Sequence, residues 1–227
     1  MNIALIGYGK MGKEIEQVAP SKKIAIKKIF TEQNNPNGLG LTKESLRDVD
    51  VCIEFTGPTF VMDNIVAVAE CGKNIVVGST GWYDQLESVK NLVKKKKIGL
   101  LYSTNFSLGM NIFQHILASA THLFESFDCY DVAISECHHK EKADSPSGTA
   151  LALGQIILQH VSRKKEMLQE TAHAKMKTEQ LQITSTRVGH VPGTHRVVFD
   201  SEADSIELIH AARNRQGFAL GALIAAE

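Results

Sequence analysis

Ile3-Ala4-Leu5-Ile6-Gly7-Tyr8-Gly9-Lys10-Met11-Gly12 stands almost at the start of the chain and settles the architecture of its first half. Residues 2–6 are a short apolar run that breaks at glycine, the pattern of a buried strand. Ile15 and Val18 follow at helical spacing. The three glycines therefore occupy a strand-to-helix turn in the order G-x-G-x-x-G. The first permits the turn and the second lets a diphosphate approach the backbone. The third allows the helix to pack closely on the strand. A glycine triplet elsewhere would specify only a tight turn; this context points to a dinucleotide.

Further strands and helices alternate outward from this turn. Ile24–Phe30, Val51–Phe55, Ile75–Val77 and Ile98–Tyr102 read as strands. A helix is expected from about Pro58, with Val61, Ile65 and Val68 on one side, and another from about Asp84. Such alternation predicts an α/β, Rossmann-like, doubly wound parallel sheet whose ligand lies beyond the carboxyl ends of the strands. Cofactor contacts are accordingly expected at Gly7, Tyr8, Gly9, Lys10, Met11 and Gly12, and at Thr31 and Glu32 after the second strand. Phe55 and Thr56, Gly78, Ser79 and Thr80, and Ser103, Thr104, Asn105 and Phe106 complete the set. Glu32 could hold ribose hydroxyls, and no arginine stands nearby for a 2′-phosphate. NADH is therefore favoured slightly over NADPH, with both left open.

The chain has 227 residues, 43% apolar and 22% charged, with 25 Lys and Arg against 25 Asp and Glu. That balance gives no general attraction to nucleic acid or to anionic membranes. The run Lys94–Lys97 reads as the last turn of a helix, where cations oppose the macrodipole. No leader or membrane span is expected. Cys52, Cys71, Cys129 and Cys137 lack C-x-x-C spacing and read as reduced thiols of a cytoplasmic protein.

After Asn105 the alternation stops. A helix over Ile112–Phe124, strands near Tyr130, 181–187, 195–200 and 205–211, and a polar surface segment over 162–180 predict an α+β domain around a mixed open sheet. The expected division is a dinucleotide-binding domain over 1–107, with 213–227 packing back onto it. Residues 108–212 would then form a substrate-binding and oligomerisation domain.

The densest chemistry lies in Glu136-Cys137-His138-His139-Lys140-Glu141-Lys142-Ala143-Asp144-Ser145-Pro146-Ser147-Gly148-Thr149. It falls between an alternating strand and a helix marked by Leu151, Leu153, Ile156 and Ile157. Two imidazoles and two ammonium groups thus stand in one strand-to-helix loop. Ser147 or Thr149 can cap the helix, and its amide end attracts anions. Zinc bound by Cys137, His138 and His139 is disfavoured, because adjacent strand residues point to opposite faces. No metal is expected. Arg187 to His195, with Gly189 and Gly193 inside it, reads either as a substrate-side loop or as a plain hairpin connection.

This loop is similar to the signature E-x-H-H-x-x-K-x-D-x-P-S-G-T of the 4-hydroxy-tetrahydrodipicolinate (dihydrodipicolinate) reductase family. The glycine turn, Gly78-Ser79-Thr80-Gly81, Asn105-Phe106-Ser107 and Arg187-x-Gly189 extend the resemblance over essentially the whole chain. It implies an NADH- or NADPH-dependent reductase of the diaminopimelate route to lysine, usually a homotetramer acting on a small dicarboxylate. It implies His138 as general acid/base with Lys142 as its partner, and His139, Lys142, Ser147, Gly148 and Thr149 as substrate anchors. Thr31 departs from the family pattern by standing where an acidic residue is usual. A nucleotide sensor without turnover would not need His138 and Lys142 together, and another dehydrogenase of similar plan would predict a catalytic cysteine, for which Cys137, at a strand end between acid and imidazole, is poorly placed.

Overall fold

The computed structural model describes residues 1–227. Its elements begin β1 (Asn2–Ile6), α1 (Lys10–Val18), β2 (Ala25–Phe30), β3 (Val51–Glu54), α2 (Val61–Glu70), β4 (Asn74–Val77), α3 (Leu86–Lys96) and β5 (Leu100–Tyr102). They continue with α4 (Leu108–Phe124), β6 (Asp131–His138), α5 (Gly148–His160), β7 (Glu166–Leu168), β8 (Gln180–Arg187), β9 (Thr194–Asp200), β10 (Ser205–Ala211) and α6 (Gln216–Ala226). Two compact units result, one of Met1–Leu108 with Arg215–Glu227 and one of Gly109–Asn214.

The first unit is a parallel sheet in the order β2-β1-β3-β4-β5. Because strand side chains alternate in direction, the apolar runs feed two cores. Ala4, Ile6, Cys52, Ile75 and Val77 pack with Val61, Ile65 and Val68 of α2 and Val89 of α3. Ile3, Leu5, Val51, Ile53 and Val76 pack with Ile15 of α1 and with Ala219, Ala222 and Leu223 of α6. Full burial of each Ile or Leu contributes roughly 1.5–3 kcal/mol, which is why these runs must lie inside. The chain leaves β1 for β2 on one side and returns to β3 on the other. That switch opens a crevice at the carboxyl ends of β1 and β3.

In the second unit the sheet runs β10-β9-β6-β8-β7 and is mixed. β6 pairs parallel with β8 and antiparallel with β9. Met110, Phe113 and Leu117 of α4 and Ala150, Leu153 and Ile157 of α5 cover one face, over Val132, Ile134, Ile183, Val197 and Phe199. On the opposite face Ala133, Ser135, Cys137, Arg196 and Val198 are half-buried and Ile209 is exposed.

Two sequence expectations shift. The polar segment 162–180 contains β7, a three-residue edge strand beside β8. It is too short for alternation to show. Its anchor is Met167, which lies where Gly154 of α5 has no side chain; a Cβ there would stand 2.6 Å from Met167 Sδ. The strand expected from Ile98 begins at Leu100, because Lys97 takes a left-handed cap and the Ile98 N–H closes α3 onto the Val93 carbonyl at 3.2 Å. No helix is long and apolar enough to cross a membrane.

Candidate active site

The glycine turn has the geometry its spacing demands. Gly7 has a φ of +96°, and a side chain there would run into the Phe55 carbonyl. One on Gly12 would strike the Gly7 carbonyl, so α1 can approach β1 only without it. Around Gly9 no atom lies within 4 Å of an added Cβ, which leaves its backbone open to a bulky anion. No side chain caps α1, so its first amides face outward for a phosphate.

A cavity of about 340 Å³ lies beside this turn. Gly7, Tyr8, Gly9, Thr31, Glu32, Phe55 and Thr56 line it, together with Ile6, Phe30, Asn35, Phe60 and Asn64. The second group lacked a recognisable sequence signal, since apolar or amide residues in a loop carry no motif. Lys10, Met11 and Gly12 form the start of α1 rather than the wall. Gly78, Ser79 and Thr80 follow β4, and Ser103, Thr104 and Asn105 follow β5, at the same sheet edge but outside the cavity lining. Phe106 is buried among Ala219, Ala222 and Leu223 of α6, so its ring is a core element. The Gly-lined, open-backboned crevice with a polar pocket at its β2 side fits the adenosine and diphosphate parts of a dinucleotide.

In the second unit, β6 delivers Glu136 and His138 to the helix-covered side and α5 begins directly beneath them. Glu136 is fully buried. Its Oε1 accepts from the Ser147 N–H at 2.9 Å, the Ser185 hydroxyl at 2.8 Å and Arg187 at 3.0 Å. Its Oε2 lies 2.9 Å from His138 Nδ1 and 3.7 Å from His195 Nε2. The 2.9 Å approach is within hydrogen-bond reach, yet neither atom has an aligned partner, so the imidazole is tilted from a linear bond. On the far side of the ring, an added Cβ on Gly193 would stand 2.9 Å from His138 Nε2, and Gly193 has a φ of +152°. Only glycine avoids a collision with that nitrogen.

Burial pushes the Glu136 carboxyl up, but the Ser147, Ser185 and Arg187 donors outweigh it and hold the group at about 2. His138 is pulled below the ordinary imidazole value, first by burial and further by Lys142 and Arg187, against the opposing pull of Glu136. Burial and then His138 bring His195 down to about 4. An anionic carboxylate thus sits among two neutral imidazoles at neutral pH.

One donor atom from each of Glu136, His138 and His195 lies within 4.8 Å of the other two, a set that could be weighed for a divalent ion. The 2.9 Å between Oε2 and Nδ1 is tighter than the roughly 3.3 Å between two ligands of a tetrahedral zinc. Arg187 already balances the carboxylate. A close carboxylate–imidazole contact describes the cluster better than a metal centre.

The remaining loop residues gather round this core. Lys142 pairs with Asp144 at 2.6 Å, and Arg187 also holds the Asp144 carbonyl at 2.6 Å. His139 is half-buried and Gly148 is exposed, with nothing within 4 Å of an added Cβ. Ser147 caps α5 by accepting from the Ala150 N–H at 3.1 Å, and its hydroxyl meets His195 Nε2 at 3.2 Å. The Ser147 amide, expected to receive an outside anion, is taken by Glu136 instead. Glu136, Arg187, Gly193 and His195 were visible as motif letters, but their convergence needed β6, β8 and β9 to lie side by side.

A dinucleotide crevice in one unit and a buried acid–imidazole cluster in the other define a nicotinamide-dependent oxidoreductase. The comparisons carry this further. The family models described as dihydrodipicolinate reductase, N-terminus and C-terminus, match residues 1–106 and 109–227. The 4-hydroxy-tetrahydrodipicolinate reductase of Christiangramia forsetii is 38% identical over 229 residues, covering 100% of this chain and 91% of its own. That of Buchnera aphidicola subsp. Baizongia pistaciae is 32% identical over 250 residues, covering 100% and 90%. The chain belongs to the dihydrodipicolinate reductase family. It is an oxidoreductase that reduces 4-hydroxy-tetrahydrodipicolinate in the diaminopimelate route to lysine, and the family takes its reducing power from NAD(P)H in a Rossmann-type domain.

Among solved structures, dipicolinate-bound dihydrodipicolinate reductase from Paenisporosarcina sp. TG-14 shares the fold, with a TM-score of 0.79 at 23% identity over 100% of this chain and 93% of that one. Aspartate semialdehyde dehydrogenase II from Vibrio cholerae shares it more loosely, at 0.54 and 10% identity over 98% and 95%.

Proposed function

We propose that His138 is the general acid/base of the reduction, with Lys142 as its partner. His139, Lys142, Ser147, Gly148 and Thr149 would anchor the dicarboxylate 4-hydroxy-2,3,4,5-tetrahydrodipicolinate. The single observation that supports this most strongly is the His138 ring, which stands between an ionised Glu136 at Nδ1 and, at Nε2, a position that Gly193 keeps clear of any side chain. Conversion to tetrahydrodipicolinate adds a hydride and a proton to the ring system and expels the 4-hydroxyl as water. The dinucleotide, when bound, supplies the hydride.

Glu136 keeps a proton on Nδ1, so that Nε2 is the nitrogen that exchanges one. A dianionic substrate close by favours the imidazolium and reverses the downward shift of the free site, so His138 gains its proton when there is something to protonate. Lys142 is half-buried and bonded only to the exposed Asp144. A substrate carboxylate can replace that partner with little loss. Ser147 contributes through the helix start it builds, and Gly148 offers an uncovered approach to the first turn of α5. Lys142→Ala is expected to raise KM for the dicarboxylate about 10–100-fold and to lower kcat. Unchanged steady-state constants would remove Lys142 from the site.

For the cofactor, Gly7, Gly9 and the first turn of α1 would hold the diphosphate, and Thr31, Glu32 and Thr56 the adenosine ribose. We favour NADH. Glu32 lines the cavity and no lysine or arginine does, so a 2′-phosphate would meet a carboxylate with no cation to offset it. Turnover with synthase-made substrate should give a higher kcat/KM for NADH than for NADPH; the opposite ranking would reject this preference.

The half-buried sheet face with Val198 and Ile209 suits a second copy of the chain, consistent with a homotetramer. Four free thiols fit a reducing cytoplasm.

A further inference from the structure

A second buried carboxylate lies in the first unit, at the end of β3. Glu54 is 0% exposed, although it sits in a run of apolar strand residues. Its Oε1 accepts the Thr56 N–H at 2.9 Å and, in a short bond, the Thr56 hydroxyl. Asn64 of α2 donates its amide to Thr56 Oγ1 at 3.3 Å and lies 3.5 Å from Glu54 Oε1. The chain continues across the cavity: the Asn35 side chain donates to Asn64 Oδ1 at 2.9 Å, and its own Oδ1 accepts the Gly40 N–H at 3.0 Å. The Asn35 N–H in turn holds the Thr31 carbonyl at 2.9 Å. Asn64 is 1% and Asn35 8% exposed.

A polar chain this deep is costly unless each link is satisfied. Structure alone could have used apolar side chains here, as the neighbouring strand positions do. Its links instead coincide with the ligand wall: Thr31, Asn35, Thr56 and Asn64 all line the cavity, while Glu54 stands behind them. The geometry points to Glu54 as the positioning residue of the dinucleotide site. It fixes Thr56 directly, and through Asn64 and Asn35 it fixes the turn that carries Thr31 and Glu32. It thereby sets how tightly the adenosine end of the cofactor is held. Burial pushes the Glu54 carboxyl up against the opposing Thr56, Ser79 and Asn64 contacts. Its Oε2 has no aligned donor, as suits a carboxyl whose acceptor oxygen is the useful one.

The inference rests on reading the first unit as the dinucleotide-binding one, and wild-type NADH binding tests that reading separately. In the full-length enzyme, Glu54→Ala is expected to weaken NADH and ADP-ribose about tenfold or more by fluorescence titration and calorimetry. KM for NADH should rise in step, and KM for the dicarboxylate should stay unchanged. Glu54→Gln keeps the acceptor oxygen and should stay within about threefold of wild type. Should Glu54→Ala fail to fold, Thr56→Val cuts the same chain at its first link and should weaken both ligands likewise. Wild-type affinity for NADH and ADP-ribose in a folded Glu54→Ala or Thr56→Val enzyme would overturn the role. So would a Glu54→Gln enzyme as weak as Glu54→Ala. A wild-type enzyme that bound neither nicotinamide dinucleotide would instead sink the reading beneath it.

Discussion

His138→Gln is expected to lower kcat by about 10²–10⁴-fold, the range general acid–base catalysis supplies. Glutamine preserves much of the ring's bulk and hydrogen-bonding reach but cannot carry a transferable proton at neutral pH. The loss should fall on turnover. The Gly7 turn and the cavity lie wholly in the first unit, so the NADH dissociation constant should stay close to that of wild type. Steady-state rates with synthase-made substrate, together with an NADH titration of the same preparation, separate the two. The variant should also lose the ionisation that His138 contributes to the pH profile of kcat/KM. Wild-type turnover in His138→Gln would withdraw the assignment, whatever the fate of Lys142.

Glu136→Ala should be the most damaging change to stability. It strips the acceptor from the Ser147 amide, the Ser185 hydroxyl and Arg187 at one stroke, and leaves a guanidinium without its partner in a buried site. Breaking a buried charge pair from one side costs roughly 3–5 kcal/mol. The denaturant midpoint at neutral pH should fall accordingly, with Glu136→Gln intermediate because its amide oxygen can keep some of the donors. The same cluster makes the wild type sensitive to acid.

Glu136 has a folded pKa of about 2 against an ordinary 4.5. The unfolded chain therefore binds its proton first, and the stability that Glu136 contributes above about pH 4.5 is lost as the pH falls towards 2. His195, at about 4 against 6.5, likewise binds its proton more readily when unfolded. Its contribution is complete above about pH 6.5 and is lost as the pH falls to 4. Wild type should lose stability across both windows, and Glu136→Ala should lack the lower one. A variant with the wild-type midpoint at neutral pH would show that the cluster carries none of this weight.

The glycine turn was legible because its spacing has a local cause: Gly7 and Gly12 each remove a collision with backbone a few residues away or on the next strand. The loop from Glu136 to Thr149 was legible as chemistry for the same reason, since its capping serine, its imidazoles and its lysine are near neighbours in the chain. β7 was not. Three residues cannot show a period, and Met167 finds its place only because Gly154, thirteen positions earlier, leaves a hole for it. Nor could the sequence show that the Ser147 amide donates to Glu136. The chain order of Glu136 and Ser147 gives no hint that an eleven-residue excursion returns the amide to the carboxylate.

The order of residues by itself determined which segments alternate, where the phosphate turn falls and which side chains could move a proton, because each depends on spacing within one or two turns of chain. Pairing of β6 with β8 and β9 decided the rest. It brought Arg187 and His195, some fifty to sixty residues away, onto the carboxylate beside His138. Packing of α2 beside the turn after β2 likewise joined Glu54 to Asn35 through Asn64. Burial and charge act through space, so the protonation states on which the chemistry depends exist only once those distant strands and helices are side by side.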